Sequence, residues 1–268
     1  MSIKFIDSHA HINDPAFDND RDEIIQKSFD AGLSHIIEIA CEQNEWRPAI
    51  DLTAKYQNKV YAVCGMHPIT AKNFKEEFLP ELKNYLQMPV VRAVGEIGLD
   101  YAYEDSSPKE TQRKVLEIML ALAEDIKKPI ILHCRKSSVE NDFSAYEDLF
   151  GALKNADFSG GIMHCFSGRY EDAKKALDSG LLIGVTGIVG YKKNNDLRDT
   201  FKKIGLKHLT VETDCPYLPP QSKRGKRNDP SNIPEIAATL AEVLGKPLSE
   251  VADITTQNSL AVFSLLSP

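Results

Sequence analysis

The chain has 268 residues, of which 42% are hydrophobic and 8% aromatic, and it carries a formal net charge of −7. This composition is typical of a folded globular protein of one or two domains. The acidic balance argues against non-specific coating of nucleic acid but is compatible with a local basic patch. The sequence has neither an apolar stretch of eighteen residues nor the layout of a signal peptide at its N-terminus, so no membrane association is expected. Five scattered cysteines predict reduced thiols rather than a disulfide framework, and hence a cytoplasmic protein.

Eight short segments rich in Val, Ile and Leu recur along the chain. Their length and composition are typical of parallel strands that are buried on both faces. The predicted strands lie at 3–7, 35–40, 60–65, 90–96, 129–133, 161–166, 181–187 and 209–214.

Segments with helical spacing of apolar residues separate most of these strands. The predicted helices lie at about 20–31, 45–56, 75–87, 108–127, 141–155, 170–179, 194–203, 234–244 and 249–264. The clearest is 108–127, where Ser107 is the predicted N-cap, Pro108 fits the first turn and Glu110 completes a capping box.

Strand alternating with helix eight times in one chain predicts a (β/α)₈ TIM barrel, formed as a single domain by residues 1–268. A doubly wound open sheet is the alternative. The first predicted strand is not followed by a GxGxxG sequence, which disfavours a dinucleotide-binding version of that fold. The chain also contains no linker or repeat that would divide it.

Polar residues collect where the predicted strands end, which is where TIM barrels carry their chemistry. In "FIDSHAHI" at 5–12, alternation is expected to point Asp7, His9 and His11 to the same side. Five of the seven histidines follow strands, whereas His35 and His208 precede them. The residues at the strand ends are Asp7, His9 and His11; His67; Glu96 and Asp100; His133 and Arg135; His164; and Glu212 and Asp214.

Burying this many imidazoles and carboxylates without partners would cost several kcal/mol or more. A pair of divalent metal ions removes that cost, because the ligands and the ions neutralise one another. The predicted ligands are His9 and His11 as a clamp, Glu96 as a bridge, His133 and His164 on the second metal, and Asp214 on the first. Alternation is expected to point Cys134 and Cys165 away from the cluster, and the chain lacks a short CxxC spacing, so a Cys₂His₂ zinc site is not predicted.

Seven motifs in order, "DSHAHI", "GMHP", "VGEIGLDY", "ILHCR", "HCFSG", "ETDCPYLPP" and "GKRNDP", resemble those of the TatD family of metal-dependent deoxyribonucleases. The resemblance spans essentially the whole chain and implies a two-metal phosphodiesterase that acts on DNA. It implies a first metal on His9, His11, Glu96 and Asp214, a second on Glu96, His133 and His164, and a substrate pocket that includes His67. It also implies single-stranded or frayed DNA as substrate, cut from an end, in the 3′ to 5′ direction for some members.

Two metals would activate the attacking water, and Asp214 is expected to accept its proton. His67 and Arg135 are candidates for binding phosphate oxygens, with a surface arginine as the other interpretation of Arg135. The segment "KRGKR" at 223–227 follows the eighth strand, and its Arg224 and Arg227 are predicted to contact the DNA backbone; a solvated loop is the alternative. The ligand types suit Zn²⁺, Mn²⁺ or Co²⁺, and also Mg²⁺ where substrate oxygens contribute.

Other hydrolases of the same barrel superfamily are the main alternative. An amidohydrolase would often bridge its metals with a carboxylated lysine at the end of the fourth strand, where this chain has Glu96. A D-aminoacyl-tRNA deacylase remains open as a function within the same family. A catalytically silent nucleic-acid-binding or scaffold protein is disfavoured because all six ligand positions are intact. No obligate protein partner is predicted, so the chain is expected to be a monomer or a weak oligomer.

Overall fold

Eight parallel strands form the centre of the molecule in a computed structural model that describes residues 3–103, 106–139 and 142–265. The strands are β1 Phe5–Ala10, β2 Leu33–Ala40, β3 Val60–Cys64, β4 Val91–Asp100, β5 Ile130–Arg135, β6 Gly161–Met163, β7 Leu181–Val185 and β8 Leu209–Val211. Each strand pairs in parallel with the next along the chain, and a bridge between Ala10 and Cys215 joins the last strand to the first. The predicted (β/α)₈ barrel is confirmed.

Helices follow each strand and cover the outside of the barrel. They are α1 Arg21–Asp30, α2 Gln43–Lys55, α3 Leu79–Leu86, α4 Lys109–Ile126, α5 Ser144–Leu153, α6 Tyr170–Asp178, α7 Asn195–Ile204, α8 Ile233–Leu244 and α9 Leu248–Phe263. Within the described residues, no helix is both long enough and apolar enough to cross a bilayer. The predicted helix at 141–155 corresponds to α5, and its first predicted residue lies outside the described part of the chain.

The interior of the barrel is filled by alternate residues of the strands, as period-two alternation requires. Ile37 and Ile39 of β2 belong to this interior cluster, together with Val63 of β3. Phe263 at the end of α9 belongs to the same cluster. The chemistry-bearing side chains lie beyond this apolar filling, at the C-terminal ends of the strands.

The predicted start of α4 is wrong. Pro108 is the N-cap, one residue later than expected, and it makes no side-chain capping bond. The Ser107 hydroxyl instead donates to the Ile69 carbonyl and accepts from the Lys72 amide, at 2.8 Å in each case. Ser107 therefore fastens the loop after β3 to the start of α4, and the capping box with Glu110 does not form.

Candidate metal centre

The metal centre begins where the first and last strands meet. The Asp214 amide donates to the His9 carbonyl and the His11 amide donates to the Cys215 carbonyl, both at 2.9 Å. These bonds fix two ligand-bearing segments against each other. They bring His9 Nε2 and His11 Nε2 to within 3.2 Å, so both rings aim at one point.

Asp7 does not join the two histidines. Its carboxylate accepts from the Thr213 amide at 2.9 Å and from the Thr213 hydroxyl at 2.5 Å, and it also accepts from the His9 amide. The register of β1 against β2 shifts between Asp7 and Ala10, which breaks the simple alternation assumed from the sequence. Asp7 holds the β1 end to the β8 end instead of facing the cluster.

Glu96 of β4 lies at the centre of the cluster, and its two oxygens face different histidines. Oε2 is 3.3 Å from His9 Nε2 and 3.9 Å from His11 Nε2. Oε1 is 2.7 Å from His133 Nδ1 and 3.6 Å from His164 Nε2. Burial alone would raise the pKa of Glu96, but the surrounding histidines hold it well below its usual range, so the side chain is an anion.

Asp214 lies between the first pair of histidines and His164. Its Oδ1 is 3.4 Å from His11 Nε2 and 3.7 Å from His164 Nε2. The residue has a φ of 56°, a left-handed conformation that costs on the order of 1–2 kcal/mol for a residue with a side chain. Such strain is concentrated at functional sites, where the surroundings impose it. Burial opposes ionisation, but the charge of His164 and the hydrogen bond with His11 lower the pKa of Asp214 below its ordinary value.

His9 and His164 stack face to face, with ring centroids 3.4 Å apart. Burial, together with the charge of the adjacent His164, lowers the pKa of His9 to about 4. His9 is therefore a neutral imidazole near pH 7, which is the form that binds metal ions.

Two carboxylates that were noted at strand ends, but were not assigned to the site, orient His133 and His164. Asp100 Oδ2 lies 2.9 Å from His133 Nε2, and Glu212 Oε1 lies 2.8 Å from His164 Nδ1. Burial would lower the pKa of His133, but its bonds to Asp100 and Glu96 raise it to about 9. Carboxylates that hold the far nitrogen of a ligand histidine are a regular part of metal sites.

Glu212 is fully buried, and the shape of β7 makes room for it. A Cβ added at Gly184 would come within 2.4 Å of Glu212 Oε1, so a larger residue there would displace the carboxylate. The same oxygen accepts from the Cys165 amide at 2.6 Å. One feature of the sequence points to this role of Glu212: it lies two residues before the predicted ligand Asp214.

The predicted orientation of Cys165 is wrong, whereas Cys134 is buried as expected for a core thiol. Strand β6 ends at Met163, and Cys165 has a φ of 43°, so strand alternation no longer applies to it. Its sulfur lies within 4.8 Å of donor atoms of His164 and Asp214. The described residues still contain no group of two cysteines and two histidines that could hold an ion.

The donor atoms fit divalent metal ions. Two nitrogens bound to one tetrahedral zinc ion at about 2.0–2.1 Å lie roughly 3.3–3.4 Å apart, close to the 3.2 Å between His9 and His11. His9, His11 and Glu96 form one group of donors, and His67, Glu96 and His133 form a second. In the second group the direct 2.7 Å contact between Glu96 and His133 must open by roughly 0.6–0.8 Å to admit a tetrahedral zinc ion.

The predicted substrate-binding residues lie in three different settings. His67 faces Glu96 Oε1 at 3.6 Å, inside the cluster. Arg135 donates to Asp100 at 3.0 Å and stacks over Tyr103. The remaining two belong to the loop at 223–227: Arg224 stacks over Tyr191, and Arg227 pairs with Asp20.

Known proteins are similar to this chain in both sequence and fold. Over 261 residues the chain is 34% identical to the uncharacterized metal-dependent hydrolase YabD of Bacillus subtilis, covering 97% of this chain and 98% of that protein. It is 30% identical over 264 residues to the 3′-5′ ssDNA/RNA exonuclease TatD of Erwinia amylovora, covering 97% and 99% of the two chains. The crystal structure of YjjV, a TatD homologue from Escherichia coli, superposes with a TM-score of 0.88 at 31% identity, covering 98% of each chain.

A TIM barrel with histidines and carboxylates gathered at the C-terminal ends of its strands defines a metal-dependent hydrolase. The family of TatD-related DNases matches residues 6–264, and the chain belongs to that family.

Proposed function

We propose that this protein is a two-metal phosphodiesterase that removes nucleotides from the ends of single-stranded or frayed DNA, in the 3′ to 5′ direction. The observation that carries the proposal is the position of Glu96, whose two oxygens face two separate groups of histidines at 2.7–3.9 Å. A carboxylate in that position suits a bridge between two ions. The printed name of the Erwinia amylovora relative supports the direction of digestion and adds RNA as a substrate to be tested.

The proposed ligand assignment combines the sequence motifs with the contacts of Glu96 and Asp214. His9, His11 and Asp214, together with Glu96 Oε2, would hold the first ion. His133 and His164, together with Glu96 Oε1, would hold the second. When bound, two divalent ions supply Lewis-acid polarisation of a phosphoryl oxygen and activation of the attacking water.

The residues of the chain position the substrate and move the proton. Asp214 is anionic and lies at the mouth, so it accepts the proton of the attacking water. His67 lies beside Glu96 and donates to a non-bridging phosphate oxygen. Arg135 bonds to Asp100 through its Nε, so its terminal guanidinium nitrogens donate to phosphate as well. Asp100 itself keeps the His133 ring in place.

The basic loop, defined as residues 223–227, gives the acidic protein a local surface for a polyanion. It contains four basic residues in five positions and follows β8, whose end carries Asp214. Arg224 stacked on Tyr191 pairs a cation with an aromatic face, a combination that suits the phosphates and bases of single-stranded DNA.

The experiment that tests the proposal uses protein stripped of metal and then reloaded separately with Zn²⁺, Mn²⁺, Co²⁺ or Mg²⁺. Each form is given end-labelled single-stranded DNA, double-stranded DNA, RNA and D-aminoacyl-tRNA. We expect loss of label from a 3′ end of single-stranded DNA only in the reloaded forms. Hydrolysis of the aminoacyl ester without cleavage of DNA would replace this proposal with the deacylase.

A further inference from the structure

Cys41 directly follows β2 and continues the row of β2 side chains that point into the barrel. Ile37 and Ile39 point into the barrel, and two residues further on Cys41 packs against the same interior cluster. Strand β2 ends at Ala40, so Cys41 lies at the mouth, level with the metal centre. It is half-buried and makes no disulfide.

The backbone on both sides of the thiol is fixed. The Cys41 amide donates to Glu45 Oε2 at 2.6 Å, and the Cys41 carbonyl accepts from the His67 amide at 3.0 Å. The direction of the side chain is therefore set by the fold. Its sulfur lies 3.6 Å from Glu96 Oε2 and forms a hydrogen bond with His11.

The 3.6 Å separation is informative because Glu96 Oε2 is the oxygen that also faces His9 and His11. A sulfur bound at about 2.3 Å and an oxygen bound at about 2.0–2.2 Å to one tetrahedral zinc ion lie roughly 3.5–3.7 Å apart. The measured 3.3 Å between His9 Nε2 and Glu96 Oε2 likewise matches a nitrogen and an oxygen on one ion. The Cys41–Glu96 and His9–Glu96 separations therefore both fit pairs of ligands that share one ion.

We propose that the Cys41 sulfur is an additional ligand of the first metal, so that this ion has a soft donor while the second has only nitrogen and oxygen donors. The inference rests on the proposed two-metal centre. On coordination the S–H bond breaks, the sulfur keeps the electron pair that binds the ion, and the proton leaves to solvent. Soft thiolate donors favour Zn²⁺ and Co²⁺ over Mg²⁺ and Mn²⁺. The first site therefore selects a thiophilic ion, and the two sites differ in metal preference.

Cobalt is the probe, because a thiolate bound to Co²⁺ gives an intense near-ultraviolet charge-transfer band that nitrogen and oxygen ligands do not give. Wild-type protein loaded with Co²⁺ should show this band. Cys41→Ser should lose it while still binding cobalt through the remaining ligands, and should bind Zn²⁺ about tenfold or more weaker with little change for Mn²⁺. Cys165→Ser is the matched control, because it removes the other half-buried thiol near the cluster and should keep the band.

Several outcomes overturn the inference. If the protein binds two cobalt ions but shows no charge-transfer band, Cys41 only donates a hydrogen bond to Glu96. A band that survives in Cys41→Ser but disappears in Cys165→Ser would assign the ligand to Cys165. No bound cobalt by mass spectrometry would instead refute the metal centre of the proposed function itself.

A second measurement uses the wild-type protein in case Cys41→Ser does not fold, as judged by circular dichroism. Zinc-edge X-ray absorption of the zinc-loaded wild-type protein should show a sulfur neighbour at about 2.3 Å, and this neighbour should persist in Cys165→Ser. Only nitrogen and oxygen neighbours, or a sulfur that is lost in Cys165→Ser, would contradict coordination by Cys41.

Discussion

The salt dependence of catalysis tests whether the basic loop contacts DNA, and the structure sets the size of the effect. Lys223 donates to Asn232 and lies 3.9 Å from Glu235, and Arg227 makes two bonds to Asp20. These two charges already have partners within the protein. Arg224 stacks on Tyr191, and the exposed Lys226 has no side-chain hydrogen bond or ion pair with any described residue, so these two remain for phosphate.

Two phosphate contacts give a definite expectation. Each contact to single-stranded DNA contributes about 0.7 to the log–log salt slope, so Arg224→Ala with Lys226→Ala should make the slope of kcat/KM shallower by about 1.4. Between about 50 and 200 mM salt, the wild type should lose about sevenfold more activity than the double variant.

The assay measures initial rates on end-labelled single-stranded DNA over that salt range, and on a small chromogenic phosphodiester that is too short to reach the loop. The control variant is Lys59→Ala with Lys207→Ala, which removes the same charge at the opposite end of the barrel, just before β3 and β8. The control should keep the wild-type slope, and the small substrate should be hydrolysed equally by all three proteins. An unchanged slope in the Arg224 and Lys226 variant would refute the contact, and equal losses on both substrates would mean that the loop supports the metal centre instead.

Three further expectations concern the metal centre. Glu96→Ala should abolish hydrolysis and lower the metal content measured by mass spectrometry while circular dichroism stays unchanged; full activity at wild-type metal content would contradict bridging. Asp214→Asn should still bind DNA in a gel-shift assay but lose about 10²-fold or more in kcat, because the amide cannot accept a proton; a kcat within a few-fold of wild type would exclude it as the base. Asp100→Asn should weaken metal binding about 10–100-fold by releasing the His133 ring, as read by metal titration, whereas unchanged affinity would make the contact merely structural.

Most of the fold could be predicted from the sequence, because the barrel is built from repeating local patterns. Short apolar strands and amphipathic helices alternate, and both patterns have a fixed period. The convergence of His9, His11 and Glu96 was also predictable, because parallel strands bring their C-terminal ends to the same mouth. The structure brings these side chains together within hydrogen-bonding or ion-pair distances.

The errors lie where periodicity stops and a partner distant in sequence decides the outcome. Ser107 fits a local capping rule, but its hydroxyl bonds to backbone near Ile69. Alternation failed for Cys165 because β6 ends two residues earlier and the chain turns to a positive φ. The pairing of Arg227 with Asp20, more than two hundred residues away in the chain, was also not predicted, because no spacing rule reveals such a pair; its predicted contact with DNA stays a prediction.

The place where β1 meets the segment that follows β8, here called the seam, has a consequence for the synthesis of the protein. The backbone bonds that close the barrel, from Asp214 to His9 and from His11 to Cys215, join segments that leave the ribosome about two hundred residues apart. Strand β1 can pair with β2 early, but its other edge, which carries His9 and His11, has no partner until nearly the whole barrel has been translated. A nascent chain that stops before Leu209 has neither the seam nor Asp214, so tight metal uptake can report that the barrel has been completed.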